Sequence, residues 1–147
     1  MKLSRGIRNN NPANIRRSAT KWAYLKPVQS DKQFCQFLEM RYGIRAFFIL
    51  MRTYRYKFGL KTPREIINRF APASENDVES YLNFLSSHML DVDLPLNTDK
   101  MYCIFAKYVF EYESFFKVSV SVLSVIMWNL NCPVINDLKE YHEGSLF

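Results

Sequence analysis

The stretch that decides the fold is residues 98–116, which reads TDKMYCIFAKYVFEYESFF. Its large apolar residues recur every three or four positions, which is the spacing of one face of an α-helix. They are Met101, Ile104, Phe105, Tyr108, Tyr112 and Phe115. We therefore predict a helix that begins near Thr98 and packs this stripe against a core.

Helical patterns also precede this stretch. Residues 42–58 predict a helix that stops at Gly59, and its apolar face is Ile44, Phe47, Phe48, Met51 and Phe58. A short helix follows, because Thr62, Pro63 and Glu65 form a capping box with proline at the first helical position. This helix is expected to end before Pro72. A third helix follows residues 74–77, with its apolar positions at Val78, Tyr81, Leu82, Leu85 and Met89.

The two ends of the chain are less regular. Residues 118–130 are rich in valine, which favours a strand, but their length and apolar spacing favour a buried helix, and we adopt the helix. Residues 33–38, QFCQFL, fit either a short strand or the start of a helix. The predicted fold class is mainly α, with a helical core and an irregular or small β-bearing flap over residues 1–40. The length predicts one domain, residues 1–147.

Composition narrows the function classes. The chain begins with a polar segment and has no 18-residue apolar run, so we expect no signal peptide and no membrane span. Its three cysteines and two histidines have no ligand spacing, which excludes a zinc amidase and predicts no metal site. We expect buried reduced thiols and no cofactor.

Charge is distributed unevenly along the chain. Residues 1–64 carry 15 Lys or Arg against Asp31 and Glu39, whereas residues 65–147 carry 5 Lys or Arg against 12 acids. The asymmetry fits either a surface that faces a polyanion or two halves that dock against each other. No zinc-finger, RNA-recognition or phosphate-loop motif accompanies it, so nucleic acid is not the expected partner.

The N-terminal stretch 5–16, RGIRNNNPANIR, resembles the opening of a family common in phages and prophages, often described as virion structural proteins. Further pieces of that family's pattern follow in order, and the resemblance covers roughly the first 90 residues. They are Trp22, Asp31, Phe34, Phe37, the run 43–46, the segment 54–59, the run 62–67, Ala71-Pro72, the run 74–77 and Tyr81.

The same block is similar to a segment of bacterial glucosaminidases and lytic transglycosylases. In those enzymes an Asn-rich turn, a Trp and a later Phe lie along the glycan cleft. The resemblance implies a rearranged lysozyme-like α+β fold whose Glu-Ser pair near the C-terminus would be Glu113-Ser114. The chain departs from the family pattern by having no glycine at Ala13, Ala23 and Phe115, and Phe in place of Trp at Phe70.

Three glutamates are candidate catalytic groups for glycoside cleavage, which needs a carboxylic acid kept protonated by an apolar setting. Glu113 is the first candidate, because it follows Tyr102, Ala106 and Val109 on a second apolar face of its helix. Glu111 is the rival acid, and it could equally pair with a basic residue. Glu75 is a candidate second carboxylate, beside Asp77, which we interpret as a helix cap.

Five residues are candidate substrate contacts. Asn10, Asn11 and Asn14 could bind the acetamido and hydroxyl groups of a glycan, although such a cluster also suits a tight loop. Trp22 could stack on a sugar or anchor the irregular region. Arg8, with its neighbours, could meet anionic wall groups.

Two functions follow from these residues and from the resemblance. One is a phage- or prophage-type enzyme that cleaves peptidoglycan glycan strands. The other is a non-catalytic virion or wall-binding protein on the same fold, with other virion proteins as partners. In either case the protein would be made in the host cytoplasm.

Overall fold

The computed structural model describes residues 2–72, 77–88 and 91–135. Six α-helices lie within these ranges. They are α1 (Arg5–Arg8), α2 (Met40–Phe58), α3 (Pro63–Phe70), α4 (Val78–His88), α5 (Asp99–Ser114) and α6 (Val120–Asn129). Among these residues, no helix combines the length and apolarity needed to cross a membrane.

Local capping sets the helix boundaries close to where the sequence predicts them. Thr62 and Glu65 form both halves of the capping box at the start of α3, and Pro63 is its first residue. The Thr98 side chain accepts a hydrogen bond from the Met101 amide at the start of α5. Gly59 ends α2 in the left-handed conformation, with φ of 68°.

Helices α4 and α6 also match their predictions, whereas α1 lies within the segment predicted to be irregular. The Asp77 carboxylate accepts a hydrogen bond of 3.1 Å from the Ser80 amide, which confirms its role as a cap for α4. Residues 120–129 form a helix, so the helical interpretation of this valine-rich stretch is confirmed. Its ambiguous pattern has a physical basis, because α6 buries only a narrow stripe. Leu123 and Met127 are buried, whereas Val122, Val125 and Trp128 are exposed.

One hydrophobic cluster fills the space between the helices. Helix α5 packs against α4 and α6, and α2 packs against α6. Aromatic rings meet at the centre, where Phe47 lies edge-on to Phe110 with their centroids 5.2 Å apart. The three cysteines are buried as free thiols. The predicted helical core is therefore confirmed.

The stripe predicted for α5 needs one correction. Phe115 is 80% exposed, because α5 ends at Ser114 and Phe115 adopts the left-handed conformation, with φ of 53°. The prediction assumes that the helical spacing continues through residue 115, but the helix ends one residue earlier, so the Phe115 side chain does not reach the core. The face of Tyr102, Ala106 and Val109, predicted as secondary, is fully buried.

An irregular segment, residues 9–39, lies between α1 and α2. Two isolated antiparallel bridges order it, Arg16 with Phe34 and Leu25 with Phe37, so residues 33–38 carry two bridge positions and do not start a helix. No sheet forms within the described ranges. The helical part of the predicted fold class is thus confirmed, and the lysozyme-like α+β arrangement stays a prediction.

Two glycines let this N-terminal region approach the helices closely. A Cβ at Gly6 would collide with the Ser114 side chain, and a Cβ at Gly43 would collide with the Asn10 carbonyl oxygen. The first contact joins α1 to the end of α5, and the second joins the Asn-rich turn to α2. These glycines explain physically why the motif has glycine at both positions.

Candidate functional site

A cleft of about 410 Å³ opens between the irregular segment and the helices. The irregular segment contributes one wall, α2 and the end of α3 contribute another, and the last turn of α5 contributes an acid. The lining residues are Ala13, Asn14, Ile15, Arg16, Ser18, Thr20, Trp22, Phe34, Leu50, Tyr54, Arg69, Phe70, Ala71, Pro72 and Glu113.

Among the described residues that line this cleft, Glu113 carries the carboxylate. It stands one turn after Val109, at the end of the fully buried face of α5. The side chain is partly buried, and burial raises the pKa of its carboxyl above the ordinary value of 4.5. Loss of hydration disfavours the charged form, so the site holds Glu113 protonated to a higher pH than a surface glutamate.

Asn14 is the hydrogen-bond partner of Glu113. Its side-chain amide nitrogen donates to the Glu113 backbone oxygen at 3.0 Å and to the Glu113 Oε1 at 3.3 Å. Asn14 reaches this position in the left-handed conformation, with φ of 53°, which asparagine tolerates better than most residues. This bond and the charge of Arg16 each favour the carboxylate and lower the Glu113 pKa, but burial outweighs them.

Tyr81 of α4 is a buried neighbour of the Glu113 carboxyl group. Its ring is fully buried and stacks on Tyr112 at a centroid distance of 3.9 Å. Burial, followed by the nearby Glu113 charge, raises the pKa of the Tyr81 hydroxyl well above its ordinary value. The hydroxyl lies near the carboxylate and lowers the Glu113 pKa, although it meets full hydrogen-bond geometry with none of the described residues.

Two further polar atoms in the cleft lack partners among the described residues. They are the Trp22 Nε1, a donor, and the Asn14 Oδ1, an acceptor, and both atoms are buried. Buried polar atoms in proteins are nearly always satisfied, and both atoms are closed to solvent here, so a ligand would reach them only if the two side chains turned toward the cleft. Trp22 itself is only partly buried and packs on the edge of the core.

Ser114 fixes the position of Glu113 relative to the irregular segment. Its side chain is fully buried, and its hydroxyl donates to the Pro12 carbonyl at 2.8 Å. The Ser114 carbonyl in turn accepts a hydrogen bond of 2.6 Å from the Ser4 hydroxyl. The Glu113-Ser114 pair therefore turns one side chain into the cleft and ties the other to the N-terminal loop.

Other predicted contact residues serve the loop itself. The Asn10 amide donates to the Phe37 carbonyl at 3.0 Å. Asn11 is fully buried, where it donates to the Ile15 and Cys35 carbonyls and accepts from the Ile15 amide. Arg8 is exposed on α1. None of these three residues lines the cleft, so of the five candidate contacts it brings together Asn14 and Trp22.

Of the other two candidate carboxylates, the structure describes Glu111. Glu111 is partly buried on another face of α5, and its carboxylate lies 3.9 Å from the Lys117 ammonium. It does not line the cleft. Glu75 lies outside the described residues.

The structure adds residues that the sequence patterns do not single out as functional. In the sequence Tyr81 is one more apolar position of α4, and no pattern marks Arg69. Phe70 could have been identified from the sequence, because the resembled family has Trp at this position. Phe70 does line the cleft. At Ala13 and Ala23 no positive φ is required, since the left-handed residues are the following ones, Asn14 and Tyr24.

Comparison with known proteins gives a partial match. No family model matches the chain. Over 87 residues the chain is 40% identical to Protein P5 of Pseudoalteromonas phage PM2, which covers 57% of this chain and 54% of that protein. The chain thus spans about half the length of this curated relative. The match supports a phage origin.

Proposed function

We propose that this chain cleaves the glycan strands of peptidoglycan and that Glu113 is its general acid. The observation that carries the proposal is a partly buried glutamate with a raised pKa, held by Asn14 in an open cleft. Breaking a glycosidic bond requires a proton for the departing oxygen. A carboxyl group supplies it near neutral pH only if its surroundings keep it protonated.

Trp22 and Asn14 carry the donor and the acceptor that an N-acetylated sugar needs, once their side chains turn the buried atoms toward the cleft. The carbonyl oxygen of an acetamido group could then accept from the Trp22 Nε1, and its N–H could donate to the Asn14 Oδ1. Both protein atoms lack partners among the described residues. A site that supplies a matching donor and acceptor discriminates strongly against sugars that lack the amide.

The reaction requires Glu113 first to donate a proton and then to accept one. Protonated Glu113 gives its proton to the glycosidic oxygen as the bond from that oxygen to the anomeric carbon breaks. The resulting carboxylate then takes a proton from the attacking oxygen as that oxygen bonds to the same carbon. In a hydrolase the attacking oxygen belongs to water, and in a lytic transglycosylase it is a hydroxyl group of the sugar itself.

Mass spectrometry of the fragments released from purified peptidoglycan tests the proposal. Glycan cleavage by water yields new reducing ends, whereas attack by the sugar's own hydroxyl yields anhydro ends that are lighter by one water. Either product supports the proposal. Release of free stem peptides with intact glycan strands, or release of nothing, would refute it.

A non-catalytic virion or wall-binding role is the second candidate. The observation in its favour is Phe115, a strained left-handed residue directly after Glu113-Ser114, where the resembled family has glycine. Under this candidate the cleft binds the wall without cleaving it, and other virion proteins are partners. Purified virions that contain the protein, together with a wild-type protein that binds walls but releases no fragments, would favour this role.

A further inference from the structure

We propose that Arg69 is a specificity-determining residue that binds a carboxylate of the peptide stems on the glycan strand. The proposal rests on the proposed function, since it names which strands the same cleft prefers. Peptidoglycan sugars are neutral apart from their peptide-bearing branch, and the stems carry free carboxylates. A cation placed in the cleft away from the acid would therefore select peptide-bearing strands over neutral ones.

The position of Arg69 is fixed by aromatic rings. It stands on the last turn of α3 and lines the cleft beside Phe70. The guanidinium carbon lies 3.9 Å from the centroid of the Phe58 ring and 5.7 Å from that of Tyr54. A guanidinium group held against ring faces keeps its N–H donors at its edge, which suits a planar carboxylate. Little rotational freedom then remains to be lost on binding.

Arg69 has a neutral partner, the Tyr54 hydroxyl, and no carboxylate partner among the described residues. Within residues 2–72, 77–88 and 91–135, Arg69 makes no ion pair, whereas Arg64 on the same helix pairs with Asp93 at 2.7 Å and Glu79 at 3.6 Å. An arginine without a carboxylate partner, set in a cleft wall, is typical of anion recognition.

Arg69 is also separate from the acid. Arg69 lines the cleft from the last turn of α3, whereas Glu113 lines it from the last turn of α5. On this placement we assign Arg69 to a branch of the substrate and not to the cleaved bond. Interactions with remote groups change which strand binds without changing the protonation of the acid.

Binding to a matched pair of ligands tests this role. Both are measured by calorimetry with Glu113→Gln as the background, so that cleavage does not interfere. One ligand is a peptide-bearing tetrasaccharide of the wall, and the other is the same molecule with its carboxylates converted to amides. We expect Arg69→Gln to weaken binding of the first by about fivefold to tenfold and to leave the second unchanged. Arg69→Lys, which keeps the charge but loses the planar fork, should fall between.

Arg64→Gln is the matched control, because it removes an equal charge from the same helix outside the cleft. It should leave both affinities unchanged. Equal weakening of both ligands by Arg69→Gln, or no weakening of either, would overturn the role of Arg69 and leave the proposed function standing. Charge-selective binding by a wild-type protein that cleaves no strand would instead overturn the proposed function alone. Failure of the background protein to bind either ligand would overturn both.

Discussion

The Ser114 hydroxyl, at the end of α5, donates a hydrogen bond of 2.8 Å to the carbonyl of Pro12, 102 residues away in the chain. This bond ties the helix that carries Glu113 to the loop that carries Asn14. Gly6 allows this close contact, because any larger residue there would collide with the Ser114 side chain. The candidate site is therefore assembled by residues that take no part in its chemistry.

Ser114→Ala should lower the free energy of unfolding by about 1–3 kcal/mol, because the buried Pro12 carbonyl loses its donor. The measurement is urea unfolding at neutral pH. Ser87→Ala is the control, since Ser87 is exposed and donates to the Phe84 carbonyl at 2.8 Å. Its effect should stay within about 0.5 kcal/mol. Equal effects of the two variants would show that the Ser114 bond adds nothing to stability.

Phe115→Gly should raise the free energy of unfolding by about 0.5–1 kcal/mol. Phe115 holds a left-handed conformation that costs an L-residue roughly 1–2 kcal/mol, and glycine removes this cost. Glycine also increases the conformational entropy of the unfolded chain, which offsets part of the stabilisation. The exposed ring has little packing to lose. Phe115→Ala is the control, because it removes the ring and keeps the strain, and it should change stability little. A glycine variant no more stable than the alanine variant would contradict this account.

The sequence predicts the helices well because their determinants are local. The capping box of Thr62 and Glu65, the apolar face of α2 and the start of α5 at Thr98 depend on residues within one or two turns. The candidate acid Glu113 could also be named from the face that it shares with Val109. Its partners could not, since Asn14 lies 99 residues from it and Tyr81 belongs to another helix.

The three asparagines of the N-terminal motif are a second case in which local sequence does not predict the role of a residue. Asn10, Asn11 and Asn14 look equivalent in the sequence, yet two of them hold the loop and one faces the acid. Which asparagine does which depends on where residues 33–38 and the end of α5 are packed. No local pattern contains that information.

Glu113 gives folding stability a defined pH dependence. Its pKa is raised in the folded protein, so the folded state binds this proton more tightly than the unfolded state. The stabilisation is therefore complete below the ordinary value of 4.5 and is lost as pH rises through the folded pKa. Glu113→Gln does not titrate, so its stability relative to wild type should be higher at pH 7 than at pH 4. A difference that is the same at both pH values, measured by urea unfolding, would show that the pKa is not raised.

The exposed arginines of the basic half should make wall binding sensitive to salt. We expect retention on purified peptidoglycan to weaken steeply as salt rises, because exposed charges are screened. Combined Arg8→Ser, Arg16→Ser and Arg17→Ser changes should lower retention at low salt without unfolding the protein. Lys100→Ser with Lys117→Ser is the control, since these exposed lysines lie in the acidic half. Retention that ignores salt, or that falls equally with the lysine pair, would count against a wall-facing basic surface.

The most direct test of Glu113 as the general acid is the clearing of purified cell walls by Glu113→Gln and Glu111→Gln, measured beside the wild type. Gln keeps the size of Glu113 and its ability to accept from Asn14, but it has no proton to give. We expect wild type to clear the walls, Glu113→Gln to be slower by about 10²–10⁴-fold while remaining folded, and Glu111→Gln to stay close to wild type. Full activity of Glu113→Gln, or loss of activity in Glu111→Gln alone, would contradict the claim that Glu113 is the general acid.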